Sequence, residues 1–108
     1  MNYIDHTIIQ NVYKNRHTDT HKGDYGRLLC IGGSEDYTGA PYLAVCASIA
    51  AFRAGTDIVT IAAPEKVAYA INSLNPDIIS KKINCDYFTP LQLDEILGLS
   101  ALFDCILI

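Results

Sequence analysis

The fold is decided by the stretch Arg27-Leu28-Leu29-Cys30-Ile31-Gly32-Gly33-Ser34, in which a short apolar run ends abruptly at two glycines. Such a run is typical of a strand that is buried on both faces of a parallel sheet. The following residues 40–54 are rich in Ala and almost wholly apolar, with Pro41 near their start and Gly55 after their end. This pattern predicts a helix that is buried on all sides.

The rest of the chain repeats this alternation of strands and helices. Further strands are predicted at residues 56–63, 77–80 and 102–108, and further helices at residues 5–14, 65–74 and 89–97. Asp5 and Thr89 stand where N-caps belong, and Leu93, Ile96 and Leu97 are expected to face inwards. Strands separated by helices favour right-handed crossovers. We therefore predict an α/β fold of three layers, with a mostly parallel sheet and helices on both faces.

The last predicted strand, residues 102–108, is strongly apolar and carries no turn or polar tail after it. Leaving about three of its side chains exposed would cost roughly 5–9 kcal/mol, which rivals the stability of a whole domain. We therefore expect an incomplete domain, which is the front portion of something larger or leans on a partner. The alternative is a complete flavodoxin-like fold in which residues 5–14 cover this strand.

Charge and composition exclude several classes of protein. Eight basic residues stand against twelve acidic ones, for a net charge of −4, so no basic face is available for nucleic acid. The sequence has no apolar run long enough for a membrane span and no signal-peptide pattern at residues 1–5. We predict a soluble, cytoplasmic protein. The four cysteines show no zinc spacing, and we expect reduced thiols, buried at Cys30, Cys46 and Cys105.

Two loops are candidate ligand sites. Ligands of open α/β sheets bind at the carboxyl ends of the strands, where the glycine-rich residues 32–40 lie. Gly39 and Ala40 begin the predicted buried helix, so free N–H groups there would suit a phosphate. The loop matches neither the dinucleotide fingerprint nor the P-loop. The alternative is a strand-to-helix turn that needs glycine for its shape alone.

The second loop, residues 21–26, comes just before the first strand. Lys22 offers a cation for an anionic ligand and His21 a donor or acceptor. A solvated surface loop is the alternative reading. No metal-ligand pattern is predicted anywhere in the sequence.

Several motifs, in this order, resemble the NAD(P)H-hydrate dehydratase family, which is the YjeF C-terminal type with a ribokinase-like fold. They are His21-Lys22-Gly23-Asp24-Tyr25-Gly26-Arg27, Ile31-Gly32-Gly33-Ser34, Tyr37-Thr38-Gly39-Ala40, Arg53-Ala54-Gly55 and Val59-Thr60-Ile61-Ala62. The similarity runs from about residue 15 to residue 79. Residues 103–108 resemble the strand that leads into the family's Gly-Pro-Gly-Leu-Gly loop.

The resemblance implies a metabolite-repair lyase that uses ADP or ATP, with Mg²⁺, to dehydrate hydrated NADH and NADPH. Carried over by position, the substrate-binding residues would be Gly39, Ala40 and Pro41, with Gly32, Gly33 and Ser34 shaping the pocket and His21 and Lys22 near the site or a subunit contact. Pro41 departs from the small residue expected at its position.

The family's catalytic Asp, in a Gly-x-Gly-Asp segment, would lie beyond Ile108. The resemblance thus implies that residues 1–108 are the N-terminal portion of a single ribokinase-like dehydratase domain and are inactive alone. A fragment of a ribokinase-like small-molecule kinase and a non-catalytic binding remnant are the alternatives. We expect a homo-oligomer, or association with the remainder of the domain.

Overall fold

A computed structural model describes residues 3–13 and 15–108 and shows one parallel sheet of four strands in the order β3-β2-β1-β4. The strands are β1 (Arg27–Ile31), β2 (Ile58–Pro64), β3 (Ile79–Ile83) and β4 (Cys105–Leu107). The helices are α1 (His6–Val12), α2 (Gly39–Ala54), α3 (Glu65–Leu74) and α4 (Leu93–Ser100), the last preceded by a 3-10 turn at Pro90–Gln92. The predicted parallel α/β fold is confirmed.

Two apolar clusters make the sheet the middle of three layers. On one face, Val45 of α2 and Ile71 of α3 pack with Cys30 and Ile61 of the central strands. On the other face, Leu29 and Ala62 pack with Ile83 and are covered by partly buried side chains, which include Phe88, Ile96, Leu99 and Phe103. Side chains alternate between the two faces along each strand, so adjacent residues of β1 enter different clusters.

Local sequence signals explain where the helices begin and end. The carboxylate of Asp5 accepts hydrogen bonds from the amides of Thr7 and Ile8, as an N-cap does. Thr89 and Gln92 form a capping box ahead of α4. Gly55 ends α2 with a φ of +111°, a left-handed conformation that glycine adopts without steric cost. Lys14, the end of the predicted first helix, lies outside the described residues.

The expected burial of helices α2 and α4 was partly wrong. Helix α2 is not buried on all sides, because Leu43 is 68% exposed and only one stripe of the helix contacts the sheet. Leu93 and Leu97 of α4 are more than half exposed, and Ile96 and Leu99 face the sheet instead. The preceding 3-10 turn starts α4 later than predicted, which changes the residues on its inner face.

Strand β3 begins two residues later, and ends three residues later, than the predicted strand at residues 77–80. The amide of Asp77 donates to the side chain of Asn75, and the amide of Ile78 donates to the carbonyl oxygen of Asn75, so the chain is still turning there. The strand itself contains Lys81 and Lys82, which are typical of an edge strand with one solvated face.

Strand β4 is exposed along its whole length, and α1 does not cover it. Ile8 and Ile9 of α1 are themselves nearly half exposed, so the helix buries little against the sheet. All four cysteines are free, as expected, but only Cys30 is buried. Cys46 is half-buried, and Cys105 is exposed because its strand lacks cover. Among the described residues, no helix is long and apolar enough to cross a membrane.

Candidate functional site

A cleft of about 380 Å³ opens at the carboxyl ends of β1 and β4, beside the start of α2. Its walls are residues 31–34, Tyr37, Ala40, Pro41, Ala44 and Ile108. The lining is largely apolar and includes Gly32, Gly33 and Ser34, which we call the glycine loop. The position agrees with the rule that open α/β sheets bind ligands where the parallel strands end.

Gly33 gives the cleft its shape for two reasons. Its φ is +102°, in the left-handed region that favours glycine. A Cβ at this position would also lie 3.1 Å from Cγ of Pro41 and 3.2 Å from Cγ1 of Val67. The glycine loop therefore packs directly against α2 and α3. The amide of Gly32 donates to the carbonyl oxygen of Ala62, 3.1 Å away, which continues the pairing of β1 with β2.

The start of α2 is open towards the cleft. Thr38, the N-cap residue, makes no side-chain capping hydrogen bond, and Gly39 and Ala40 are exposed. Pro41 has no N–H to offer, and its buried ring forms part of the wall. The first amides of a helix lack partners within the helix and carry its positive dipole end. This end of the cleft is therefore suited to an anionic group.

His21 and Lys22 lie at the opposite end of the strands, near the amino terminus of β1. Their loop precedes β1, and the five residues of that strand separate its two ends by about 13 Å. Both side chains are exposed. The structure thus brings Gly32, Gly33, Ser34, Ala40 and Pro41 together, with Gly39 beside them. It does not bring His21 or Lys22 to the cleft.

Hydrogen bonds to Asp57 hold the loop that carries His21 and Lys22. Its Oδ2 accepts hydrogen bonds from the amides of Tyr25, at 2.9 Å, and Gly23, at 3.1 Å. Its Oδ1 lies 3.2 Å from Nη1 of Arg16, whose guanidinium carbon is 4.4 Å from the centroid of the Tyr25 ring. The amide of Tyr25 is the main cause that lowers the pKa of Asp57, against the opposing effect of burial, with Gly23 and Arg16 adding to it.

A group of polar side chains at the rim of the cleft was missed by the sequence analysis. We call it the rim cluster, and its members are Glu35, Asp36, Lys66, Asp86 and Tyr87. Nζ of Lys66 donates to the carboxylate of Glu35 and lies 3.6 Å from Oδ1 of Asp86. The hydroxyl of Tyr87 donates to Oδ2 of Asp36 at 3.1 Å. These partners are 20 to 51 residues apart in the chain, so no local pattern could have indicated them.

The charges of the rim cluster affect its titration. The neighbouring carboxylate of Glu35, and then that of Asp86, raises the pKa of Lys66, so the ammonium is held in its charged form. The carboxylate of Asp36 raises the pKa of the Tyr87 hydroxyl. Both shifts favour the protonated forms, which are the forms that donate these hydrogen bonds.

A second cleft, of about 230 Å³, lies on the α4 face of the sheet and shares Ile31, Gly32 and Ile108 with the first. Its other walls are mainly apolar and include Phe88, Pro90, Leu93 and Ile96. Within residues 3–13 and 15–108, no three His, Cys, Asp or Glu side chains are grouped as metal ligands. The described residues do not fit a Mg²⁺ site of their own.

The fold is that of the ribokinase-like α/β proteins. A ribokinase-like superfamily protein from Enterococcus faecalis superposes with a TM-score of 0.64 over 98% of this chain and 34% of its own, at 24% identity, which establishes the fold alone. A hypothetical protein from Streptococcus mutans superposes with a TM-score of 0.65, at 26% identity, over 95% of this chain and 34% of its own.

Sequence similarity defines the family. The model of the NAD(P)H-hydrate dehydratase family matches residues 28–102, and the chain belongs to that family. The bifunctional NAD(P)H-hydrate repair enzyme Nnr of Methanothermobacter thermautotrophicus is 48% identical over 92 residues, or 85% of this chain. The ATP-dependent (S)-NAD(P)H-hydrate dehydratase of Drosophila melanogaster is 40% identical over 73 residues, or 68% of this chain. The chain spans only 17% and 22% of the lengths of these two relatives.

Proposed function

We propose that the chain supplies one wall of the substrate cleft in an ADP- or ATP-dependent NAD(P)H-hydrate dehydratase. The observation that carries this proposal is the open start of α2, which meets the glycine loop inside a 380 Å³ cleft. Membership of the family supplies the substrate class, which is hydrated NADH and NADPH. Such substrates carry a pyrophosphate, the anionic group that a helix start favours.

The cleft residues then have distinct tasks. The amides of Gly39 and Ala40 would donate to the pyrophosphate, because neither residue presents a bulky side chain to the cleft. Gly32, Gly33 and Ser34 would let the backbone approach the dinucleotide closely. The buried ring of Pro41 would support the glycine loop rather than contact the ligand through a polar group.

The remaining parts of the reaction are assigned to segments outside this chain. The nucleotide, when bound, supplies the phosphoryl group that activates the hydroxyl of the hydrate for elimination. We assign the nucleotide, Mg²⁺ and the catalytic Asp no residue of this chain, since the described residues do not fit a Mg²⁺ site. We propose that residues 1–108 form the N-terminal portion of one ribokinase-like domain in a cytoplasmic homo-oligomer, with His21 and Lys22 facing a neighbouring subunit.

The test uses a charge placed at the start of α2 in the full-length protein. Ala40→Glu puts a carboxylate where the pyrophosphate would lie, so KM for hydrated NADPH should rise at least tenfold, because like charges in a desolvated contact cost several kcal/mol. Recovery of NADPH absorbance in the presence of ADP or ATP measures the rate. Ala70→Glu is the matched control, because Ala70 is exposed on α3 and away from the cleft.

Three outcomes would contradict the proposal. Equal kinetics for Ala40→Glu and the wild type would show that the start of α2 does not bind the substrate. Phosphorylation of a vitamin or sugar hydroxyl, with no consumption of hydrated NADPH, would make the protein a ribokinase-like kinase. Binding of hydrated NADPH without turnover by the full-length protein would leave a binding module.

A further inference from the structure

A turn at residues 34–37 contributes Ser34 and Tyr37 to the wall of the cleft, and few contacts fix its position. In this turn the amide of Tyr37 donates to the carbonyl oxygen of Ser34 at 3.0 Å, and the two residues form an isolated antiparallel bridge. Glu35, Asp36 and Tyr37 are all exposed, so apolar packing holds this turn only weakly. A turn of this kind moves readily unless something else fixes it.

Three independent connections join this turn to the segment after β3. The amide of Glu35 donates to the carbonyl oxygen of Asp86 at 2.9 Å. Lys66, at the start of α3, lies between the carboxylates of Glu35 and Asp86. The hydroxyl of Tyr87 donates to Asp36. The turn is thus tied both to α3 and to the segment that leads into α4.

We propose that Lys66, Asp86 and Tyr87 are positioning residues, which hold the turn at residues 34–37 so that the cleft is formed before its ligand binds. The proposal rests on the function proposed above as regards the ligand, but the positioning itself does not depend on the reaction. None of the three side chains lines the cleft, so they act through Glu35 and Asp36.

The consequence for catalysis is a selective effect on binding. A loosened turn must be ordered when the ligand binds, and this ordering reduces affinity without changing the chemical step. An exposed ion pair makes a small contribution, so KM for hydrated NADPH should rise about two- to fivefold in Lys66→Gln, with kcat unchanged. Lys66→Arg keeps the cation between the two carboxylates and should restore the wild-type KM.

A second variant separates positioning from simple charge. Lys66→Gln removes a positive charge near an anionic ligand, whereas Asp86→Asn removes a negative one. If charge alone mattered, KM would rise in the first variant and fall in the second. Positioning predicts a rise in both, and a smaller rise in Tyr87→Phe, which is neutral. Opposite changes in the two charged variants would overturn the proposal.

Amide hydrogen exchange tests the same idea without any substrate. In Lys66→Gln, the amides of Glu35 and Tyr37 should exchange about two- to fivefold faster than in the wild type, while those of Val59 and Ile61 in β2 stay unchanged. Unchanged exchange at Glu35 would refute the positioning role. If the wild-type protein does not consume hydrated NADPH, the proposed function fails, and the exchange measurement still decides whether the turn is held.

Discussion

Strands β2 and β4 both pair with β1, yet their surroundings are opposite. Six of the seven residues of β2 are buried, between α2 and α3 on one face and the α4 side on the other. All three residues of β4 are exposed, although they are as apolar as those of β2. An apolar composition therefore makes a strand suitable for burial, but the neighbouring elements decide whether the strand is buried.

The largest difference between the two strands should appear in stability. Ile61→Ala in β2 opens a cavity in a close-packed cluster and should lower the free energy of unfolding by about 2–5 kcal/mol. Ile106→Ala in β4 removes a side chain that is 44% exposed and should cost about 1 kcal/mol or less. Urea denaturation with an unchanged m-value measures both.

Equal losses at Ile61 and Ile106 would contradict this comparison. They would mean that β4 is covered in solution by a second copy or another segment. Repeating the denaturation at several protein concentrations would distinguish a second copy, because its contribution depends on concentration.

A smaller difference concerns the aspartates that precede the two strands. Asp57, before β2, accepts two amide hydrogen bonds and pairs with Arg16, whereas Asp104, before β4, accepts one amide hydrogen bond, from Arg27 at 2.8 Å. Because its pKa is lowered in the folded state, Asp57 stabilises the fold fully above its ordinary value near pH 4, and this stabilisation is lost as the pH falls through the lowered value.

Asp57→Asn should therefore lower Tm at neutral pH by roughly 4–8 °C and remove part of the acid sensitivity below about pH 4. Asp104→Asn is the matched control and should lower Tm by less. Thermal melts from neutral to acid pH provide the measurement. A Tm of Asp57→Asn that falls with pH as steeply as that of the wild type would show that Asp57 contributes nothing to the acid response.

The smallest predicted effect is a difference in chemical reactivity, with no change in stability, between two thiols on the same face of the sheet. Cys105 is exposed on β4, whereas Cys30 on β1 is buried beside the hydroxyl of Ser48, and burial raises the pKa of the Cys30 thiol. A thiol reagent should label Cys105 in the native 108-residue chain and Cys30 only after unfolding, as followed by mass spectrometry. Labelling of Cys30 first would contradict the burial described for β1.

The same reagent can also be used to compare the 108-residue chain with the full-length protein. Protection of Cys105 in the full-length protein, with labelling in the shorter chain, would show that a further segment covers β4.

The sequence analysis correctly predicted the elements whose ends are set by residues close to them in the chain. Helix α3 was predicted residue for residue, because Pro64 precedes it and its apolar stripe has helical spacing. Strand β3 was predicted two to three residues too early, because Lys81 and Lys82 do not look like strand residues until their pairing with β2 is known. The glycine loop was predicted to lie at the ends of the strands, and the structure places it there.

Long-range geometry accounts for what the sequence analysis missed. The loop with His21 and Lys22 precedes β1. Its hydrogen bonds to Asp57, over 30 residues away, keep it at the amino-terminal ends of the strands. The rim cluster joins three segments that are far apart in the chain, through exposed side chains with no distinctive spacing. Charged surface residues of this kind are common, so composition alone gives no reason to single them out.

The strand order also has a consequence for synthesis on the ribosome. β1 occupies an inner position, but Asp104 and Arg27, which join it to β4, are 77 residues apart. During translation β1 can pair with β2 early, while its other edge stays unpaired until β4 leaves the exit tunnel. Such late closure slows folding and leaves an apolar edge open to wrong partners. Nascent chains of this protein should therefore depend on chaperones that shield strand edges.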